Sequence, residues 1–450
     1  MEKQQQNWRL LEDIKKMKTR AVRLHGKEKL SLDVIELPQL GNRELRAKII
    51  TDSLCFSTYK AWQQGEAHKR TPDDLKKYPV IVGHEFAGII EEIGKDLKGK
   101  YSKGDFFILQ PGIYYTGPIF VHAGIYAAVG YSFPFCGGNA QDVIIPQPVI
   151  DRNAILTFKN CSFFEASLAE PFCCIIGAAH EQYHDTIGDH RHIMGIKEGG
   201  NLAILGAGGP MGIGMLDYFL HGDMKPSLIM ATDVYEDKLN RVKQLFNNKK
   251  NRVKLVFVNP KKEDLFWKSK KLTDGKLFDD IFTLFPSGEV IETADKLLGE
   301  NGTHNFFAGP SDKDLSAQIN FYHIHYSHHK HIGISGGNTQ DLKEALKLIE
   351  KQRLHPAHMI SAIGGLDSVI DAIENFPNMP TGKKMIYTGI KMPLVELSEL
   401  KKLSEKEDTP PIYKKIYVDL DAIISKNSGL WCKEAEKYIL GRKEVSFRLA

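Results

Sequence analysis

The amino-acid sequence predicts an α/β protein in which a strand-rich unit accompanies a doubly wound parallel sheet. Up to about residue 165, short β-branched runs such as ELRAKIITDSLCF and AQDVIIPQ are separated by Gly and Pro, which predicts a compact strand-rich unit. From about residue 200 to 335, strand and helix patterns alternate, as they do in a parallel sheet covered by helices. After a charged segment, SGLWCKEAEKYILGRK predicts a closing amphipathic helix.

Length and composition are typical of a globular protein with more than one domain. The chain has 450 residues, of which 42% are hydrophobic and 26% are charged. Its net charge of +4 is too small to indicate a nucleic-acid or membrane partner, and no apolar run is long enough to span a bilayer. The N-terminal segment has no signal-peptide pattern, and the six cysteines form no Cys-x-x-Cys pair. We therefore expect a cytoplasmic protein with reduced thiols.

A glycine-rich turn in the middle of the chain predicts a dinucleotide site. The segment NLAILGAGGPMGIGML has the order of strand, tight turn and helix that lets a backbone approach a diphosphate at a helix N-terminus. A register that begins at Gly206 would place Met211 at the closing position. We prefer the register of Ala207, Gly209 and Gly212, in which alanine takes the first position. The predicted cofactor-binding residues of the turn are Ala207, Gly208, Gly209, Pro210, Met211 and Gly212.

Asp233 ends the next strand pattern, SLIMATDV, 24 residues after Gly209. A carboxylate at this position can accept hydrogen bonds from the ribose hydroxyls of the adenosine. The alternative is that Asp233 caps the helix predicted for YEDKLNRVKQLF, but the turn and the spacing together favour the cofactor role. Because an acid disfavours a 2′-phosphate, we expect NAD(H) as the preferred cofactor and NADP(H) as the alternative.

The buried run YPVIVGHEFAGIIEEIG raises the question of what neutralises Glu85, which stands beside His84. An ionised carboxylate in apolar surroundings is costly unless an opposite charge meets it. Cys55 ends an upstream strand pattern and Glu170 precedes a proline, so a thiolate, an imidazole and carboxylates could bind Zn²⁺ with one position open for substrate. The spacing alone leaves a second interpretation open, in which Cys55 fills the core and His84 hydrogen-bonds to Glu85.

Several segments, in this order, resemble the zinc-dependent medium-chain dehydrogenases: SLCFSTYK, GHEFAGIIEEIG, LAEP, the glycine-rich turn and Asp233. The resemblance covers about residues 20 to 390, and GHE with EP is similar to the polyol dehydrogenase branch. SLCFSTYKAW, HKRTPDD, GPMGIGMLDYFLHG, TDV and WCKEAEKYIL are similar to the L-sorbose 1-phosphate reductase group. The family implies a GroES-like catalytic domain built from residues 1–175 and 336–450, the latter with a C-terminal helical extension, around a Rossmann domain at 176–335.

By this resemblance, the ligands of one catalytic zinc ion are Cys55, His84 and Glu85. Glu170 is either a further ligand or the group that holds the metal-bound water. Ser57 falls where the family places a hydroxyl that passes the substrate proton. Ser57 and Glu170 are therefore expected to be catalytic residues.

One departure from the family pattern affects the outward proton path. Where the family commonly has CGSDxH, this chain reads CFSTYK, so Thr58 replaces an aspartate and Lys60 replaces the relay histidine. Lys60 remains a candidate catalytic residue, but it could instead bind a substrate phosphate together with Lys69 and Arg70, since lysine suits phosphate as a point charge. The alternative is that these cations are simply solvated.

A second departure is a missing cysteine lobe. Many relatives hold a structural zinc with four closely spaced cysteines after a Gly-Asp pair. Here Gly104-Asp105 is followed by a long segment in which Cys136 is the only cysteine. We therefore expect no structural zinc.

The histidine-rich segment FYHIHYSHHKHIGIS offers another candidate metal site. His323 and His325 would share one face of a strand, which is a plausible metal pair. However, no acidic or sulfur partner lies nearby in the sequence, and the segment coincides with the last predicted strands of the nucleotide domain. We therefore favour surface or interface histidines at His323, His325, His328, His329 and His331.

The predicted function is that of a zinc-dependent, NAD(P)(H)-linked oxidoreductase acting on a polyol or ketose. By the resemblance, the substrate is a sugar phosphate, as in the reduction of L-sorbose 1-phosphate to D-glucitol 6-phosphate, and the assembly is a homo-oligomer, either dimer or tetramer. Three alternatives remain: a sorbitol- or threonine-type dehydrogenase of a non-phosphorylated substrate, a metal-free reductase of the same fold, and a non-catalytic nucleotide-binding protein. Cys55 and His84 argue against the metal-free alternative.

Overall fold

Two large sheets organise the chain in the computed structural model, which describes residues 17–113, 127–186, 188–246 and 252–448. We expected no structural zinc in the region that follows Gly104-Asp105. Residues 114–126 of that region lie outside the described residues, as does most of the N-terminal segment. In the part of the chain that the structure describes, no helix is both long and apolar enough to cross a membrane.

The first part of the chain is rich in strands because its β-branched and aromatic runs are interrupted by turns. Its strands are β1 (Lys18–Gly26), β2 (Lys29–Glu36), β3 (Leu45–Leu54), β4 (Val80–Ile81), β5 (Phe86–Ile93), β6 (Phe106–Leu109), β7 (Asp142–Ile145) and β8 (Ile155–Phe158). Its helices are α1 (Phe56–Gln64), α2 (Gln147–Asp151), α3 (Phe163–Ser167) and α4 (Ala169–Glu181). Strands β2, β1 and β4 form a small antiparallel sheet in that order.

The middle of the chain forms a hairpin followed by a parallel sheet. Its strands are β9 (Tyr183–Thr186), β10 (Arg191–Met194), β11 (Asn201–Leu205), β12 (Leu228–Thr232), β13 (Lys254–Val258), β14 (Phe278–Thr283), β15 (Leu298–Phe306) and β16 (Lys330–Gly333). Its helices are α5 (Pro210–His221), α6 (Glu236–Leu245), α7 (Leu265–Leu272), α8 (Gly288–Leu297) and α9 (Phe321–Tyr326). The strands of the parallel sheet lie in the order β13-β12-β11-β14-β15-β16. From β11 the chain adds β12 and β13 on one side and then β14 to β16 on the other, and the helices on the two sides leave a crevice at the carboxyl ends of β11 and β14.

The last part of the chain returns to the first. Its helices are α10 (Thr339–Glu350), α11 (Val369–Glu374), α12 (Leu400–Glu405), α13 (Pro411–Ser425) and α14 (Lys433–Leu440), and its strands are β17 (Ile360–Gly365), β18 (Lys383–Tyr387) and β19 (Val395–Glu396). Strand β18 pairs with β3, so one eight-stranded sheet runs β19-β17-β18-β3-β5-β6-β8, with β7 also on β3. The boundary proposed after residue 175 falls inside the continuous helix α4.

Packing around β18 anchors the C-terminal helices on this sheet. Trp431, which is fully buried, precedes α14 and donates its indole N–H to the hydroxyl of Tyr387 at 2.7 Å. Tyr387 is the last residue of β18 and is itself fully buried. The helical extension is therefore part of the core and does not form a separate appendage.

The histidine-rich segment corrects two expectations. His323 and His325 lie in the short helix α9, so the prediction that they share one face of a strand is wrong. His329 is buried, and an acidic partner does lie nearby: His331 Nε2 is 3.1 Å and His329 Nδ1 is 3.7 Å from an oxygen of Asp295. This aspartate was not evident as a partner because α8 brings it to the segment through tertiary packing.

Candidate active site

Three donor side chains converge at the end of strand β3. Cys55 follows β3 and precedes α1, while His84 and Glu85 directly precede β5, the neighbour of β3 in the sheet. The Cys55 sulfur, a ring nitrogen of His84 and a carboxylate oxygen of Glu85 all lie within 4.8 Å of one another. The pairing of two antiparallel strands thus brings together residues that are separated in the sequence.

Gly83 makes the turn that presents His84 and Glu85. It has a φ of 98°, in the left-handed region where a side chain is strained. A Cβ at this position would lie 2.5 Å from both Asp52 Oδ2 and Asn139 Nδ2. Only glycine fits the turn without a clash.

The donor set fits a zinc ion. Glu85 Oε2 is buried and has no hydrogen-bond partner among the described residues, which is a costly state for a carboxylate oxygen. Burial raises the pKa of the Cys55 thiol, so the thiolate needs a nearby cation. A divalent ion would satisfy both groups, and the sulfur, nitrogen and oxygen donors are those that Zn²⁺ accepts.

Two buried charged residues of the site were missed in the sequence. Lys383, at the start of β18, forms an ion pair with Glu85 Oε1, and Asp52 Oδ1 accepts a hydrogen bond from Glu85 N at 3.1 Å. Burial lowers the pKa of Lys383, but the charges of Glu85 and Cys55 raise it further than burial lowers it. Burial raises the pKa of Asp52 well above its usual value. A lysine from the far end of the chain therefore neutralises one oxygen of the buried Glu85, and Oε2 is left for a second cation.

Ser57 and Tyr131 form a chain of hydroxyls beside this cluster. Ser57 Oγ donates to Cys55 Sγ at 3.0 Å and lies 3.3 Å from His84 Nε2. Tyr131 Oη donates to Ser57 Oγ at 2.7 Å and lies 3.2 Å from His84 Nδ1. Linked hydroxyls can pass a proton, and Tyr131 was missed because nothing local in GYSFPFCGG distinguishes it.

Glu170 lies in the first turn of α4, close to the three donors but outside the group whose atoms lie within 4.8 Å. Burial raises its pKa to about 7, and the charges of Glu85 and Cys55 act in the same direction against the influence of His84. Its Oε1 accepts a weak hydrogen bond from the Cys174 thiol at 3.7 Å.

A cluster of cations lies near the donor cluster. Lys60 Nζ donates a hydrogen bond to the carbonyl of Gly309, in the loop after β15, and interacts with the charge of Cys55. Burial lowers the pKa of Lys69, and the charges of Arg70 and Lys60 lower it further. The two lysines and Arg70 are therefore close together, at the edge where the parallel sheet meets the donor cluster.

The glycine-rich turn lies between β11 and α5. Gly209 is the N-cap of α5 and Pro210 is its first residue. Gly206 has a φ of 94°, and a Cβ on Gly212 would lie 2.5 Å from the backbone of Ala207. The turn therefore exposes the N-terminus of α5, where backbone N–H groups can bind a diphosphate.

Asp233 lies one residue after β12 and is bonded to the glycine-rich turn. Its Oδ2 accepts a hydrogen bond from Gly208 N and its Oδ1 accepts one from Tyr235 N, both at 2.9 Å. Helix α6 has Tyr235 as its N-cap, without a side-chain cap. The alternative in which Asp233 caps that helix is therefore not what the structure shows.

Comparisons with known proteins agree with this arrangement. Residues 41–150 match the alcohol dehydrogenase GroES-like domain. The chain is 41% identical over 433 residues to the mannitol-1-phosphate 5-dehydrogenase of Aliivibrio fischeri, covering 95% of this chain and 99% of that protein. It is 37% identical over 428 residues to the L-sorbose 1-phosphate reductase of Klebsiella pneumoniae, covering 95% of this chain and 98% of that protein.

The solved structures support the same fold. The 2R,3R-butanediol dehydrogenase of Bacillus subtilis superposes with a TM-score of 0.68 at 18% identity, over 82% of this chain and 99% of that chain. The predicted fold, a GroES-like strand-rich domain with a parallel Rossmann sheet, is confirmed.

Proposed function

Because this chain belongs to the family of zinc-dependent medium-chain dehydrogenases and reductases, we propose that it interconverts a ketose phosphate and a polyol phosphate. It is an NAD(P)-dependent dehydrogenase, and reduction of L-sorbose 1-phosphate to D-glucitol 6-phosphate is the reaction we propose first. One observation carries the proposal: the donors Cys55, His84 and Glu85 lie beside the cations around Lys60. Mannitol 1-phosphate is the second candidate substrate, by similarity to the dehydrogenase of that name.

Each residue of the donor cluster has a proposed role. Zn²⁺ held by Cys55, His84 and Glu85 would act as a Lewis acid that polarises the substrate carbonyl and lowers the pKa of the corresponding alcohol. Reduction consumes one hydride from the reduced nicotinamide and one proton. Ser57 Oγ delivers that proton to the carbonyl oxygen, and Tyr131 Oη, 2.7 Å away, resupplies it. Oxidation reverses the direction of proton transfer.

Glu170 has two proposed roles, as a further ligand of the same ion or as the acceptor that holds a water molecule in the site. Its pKa of about 7 allows it to exchange a proton near neutral pH. The proposal includes one catalytic ion and no four-cysteine structural zinc, since Cys136 is alone in its segment.

The dinucleotide is proposed to bind across the turn Ala207–Gly212, with its diphosphate at the N-terminus of α5. The carboxylate of Asp233, which already accepts two backbone N–H groups, can accept the ribose hydroxyls with its remaining lone pairs. NAD(H) is the preferred cofactor, because a 2′-phosphate would meet this negative charge.

The phosphate of the substrate is proposed to bind Lys60, Lys69 and Arg70. Their mutual repulsion favours an anion between them; Lys60 is partly buried and interacts with the charge of Cys55, whereas Lys69 is exposed. A single exposed lysine would not support this role. Three neighbouring cations, one of them next to Cys55, do support it.

The purified chain can be tested with mannitol 1-phosphate, L-sorbose 1-phosphate, mannitol and L-sorbose, each with both nicotinamides. We expect kcat/KM to be about 100-fold higher for the phosphorylated sugars, as the loss of charged hydrogen bonds implies. Lys60→Ala should raise KM for the phosphorylated sugars far more than for the free sugars, whereas the exposed Lys76→Ala should leave both unchanged. Equal effects on both substrate types would assign Lys60 to proton handling or structure.

We also propose a cytoplasmic homo-oligomer, either dimer or tetramer, that takes small-molecule substrates and binds neither nucleic acid nor membrane. All six cysteines are free thiols, which supports a reducing compartment. Strand β16 is at the edge of the six-stranded sheet, and the adjacent helix α9 exposes Phe321 and Tyr322, which supports self-association. Light scattering would measure the assembly.

A further inference from the structure

A second cluster of side chains able to bind a metal lies at the C-terminal end of α5, the end opposite the glycine-rich turn. Asp217, near the end of α5, is fully buried. His221 Nδ1 and His355 Nδ1 lie 2.8 and 2.9 Å from its Oδ1. The ring of His358 stacks on that of His355, with centroids 5.3 Å apart. One ligand atom from each of Asp217, His355 and His358 lies within 4.8 Å of the other two.

His358 is incompletely satisfied. Its Nδ1 is buried and has no hydrogen-bond partner among the described residues, in the same way as Glu85 Oε2 in the candidate active site.

We propose that Asp217, His355 and His358 bind a second divalent ion of the zinc class. Two imidazoles and a carboxylate suit Zn²⁺ or Co²⁺ better than Mg²⁺ or Ca²⁺, which take mainly oxygen ligands. The site shares no residue with the cluster at Cys55. An ion there would occupy the position in which the His355 ring now shares its proton with Asp217, and it would satisfy His358.

The ion would join the two large sheets. Asp217 belongs to α5, which packs on the parallel sheet, while His358 lies in the turn Pro356–Met359 that leads directly into β17 of the eight-stranded sheet. The His221 and His355 side chains are 28% and 43% exposed, so an ion can reach the carboxylate from solvent. The role of the ion is structural, because the ion fixes α5 against the eight-stranded sheet.

The nearby cations are compatible with this site. Arg241 Nη2 donates to the carbonyl of His358 at 3.4 Å, and Arg353 Nε donates to the carbonyl of His221 at 3.0 Å. Both guanidinium groups are therefore engaged with backbone oxygens and do not compete for Asp217. This second ion departs from the expectation of a single zinc, which rested on the missing cysteine lobe. A site made of nitrogen and oxygen ligands leaves no cysteine pattern in the sequence.

The test uses the full-length chain, stripped with a chelator and dialysed against Zn²⁺, with bound metal measured by elemental analysis. Cys55→Ala isolates the second site and should retain one equivalent per chain, whereas Cys55→Ala/His358→Ala should retain none. His358→Ala alone should lose one equivalent of zinc per chain. The exposed His325→Ala is the control for adventitious binding and should bind as much zinc as the unmodified chain.

Equal zinc in Cys55→Ala and Cys55→Ala/His358→Ala would overturn the proposal, as would no zinc in Cys55→Ala. A second readout uses a chain that retains His358, so it does not depend on whether a His358 variant folds. The Cys55→Ala chain loaded with Co²⁺ should show the intense visible bands of a low-symmetry nitrogen and oxygen site, and a spectrum identical to that of aqueous Co²⁺ would contradict it. Neither readout depends on turnover, so failure of the proposed reaction would leave this result unaffected.

Discussion

Lys383 and Glu85 form a buried ion pair between residues 298 positions apart in the sequence. Their side chains are only 5% and 1% exposed. Lys383 begins β18 and Glu85 immediately precedes β5, and both strands flank β3. Since Lys383 engages Oε1, the second carboxylate oxygen of Glu85 remains free to bind a metal ion.

Replacing Lys383 by Met leaves the carboxylate of Glu85 buried without its cation. We expect the free energy of unfolding of the metal-free chain to fall by about 3–5 kcal/mol, as when one partner of a buried pair is removed. Urea denaturation measures this change. The double variant Lys383→Met/Glu85→Gln should be more stable than Lys383→Met alone, and a double variant no more stable than Lys383→Met would show that the unpaired charge of Glu85 is not the cause of the loss.

Removing the hydroxyl of Tyr131 should slow catalysis without weakening cofactor binding. In Tyr131→Phe, Ser57 loses the donor at 2.7 Å and His84 loses its contact at 3.2 Å. We expect kcat to fall by about 100-fold, the low end for loss of a positioned proton-transfer group. The KM for NADH should be unchanged, and the pH profile of kcat should shift.

The control for Tyr131→Phe is Tyr101→Phe, which alters another buried tyrosine in a separate part of the strand-rich core. Steady-state kinetics across pH measure both variants. If Tyr131→Phe and Tyr101→Phe had the same kcat, the hydroxyl of Tyr131 would have no part in proton transfer.

The parallel sheet could be predicted because its signals are local. Strands β11, β12 and β13 are short apolar runs, and each is followed within the same stretch of chain by a helix. The eight-stranded sheet could not be predicted in the same way. Its pairing of Leu54 in β3 with Lys384 in β18 joins segments from opposite ends of the chain, and no local pattern records that register.

The same distinction applies to the candidate site. Cys55, His84 and Glu85 could be assigned as a ligand set through the resemblance to the family, because their spacing alone also allowed a cysteine in the core and a hydrogen-bonded pair of His84 and Glu85. Lys383 and Tyr131 could not, since a lysine in KKMIY and a tyrosine in GYSFPF are ordinary residues until the tertiary structure buries them beside the cluster. His355 and His358 could not be predicted as ligands either, because only the packing of α5 brings Asp217 close to them.

Asp233 should determine the choice of nicotinamide. Asp233→Ala removes the acceptor for the ribose hydroxyls, so we expect affinity for NADH to fall much more than affinity for NADPH. Fluorescence titration measures both. Asp237→Ala, an exposed acid in the next helix, is the matched control. Equal losses of NADH and NADPH would show that Asp233 acts only by holding Gly208 and Tyr235.

Glu436 should make the stability of the chain depend on pH. This residue of α14 accepts the backbone N–H groups of Phe163 and Phe164 at 2.9 and 2.8 Å, and the hydroxyl of Tyr387 at 3.1 Å. Burial raises the pKa of its carboxyl from 4.5 to about 7, although those hydrogen bonds act in the opposite direction. The folded chain therefore binds more protons than the unfolded chain between these two pH values.

This difference fixes the sign of the effect. Stability from the protonated Glu436 is fully present below about pH 4.5 and is lost as the pH rises through about 7, for a total of about 3 kcal/mol. Glu436→Gln cannot titrate, so the difference in unfolding free energy between the unmodified chain and this variant should change by that amount between about pH 4 and pH 8. Urea denaturation at several pH values measures it, with the exposed Glu434→Gln of the same helical turn as the control. A difference that stays constant with pH would mean that the hydrogen bonds from Phe163 and Phe164 keep the carboxylate ionised throughout.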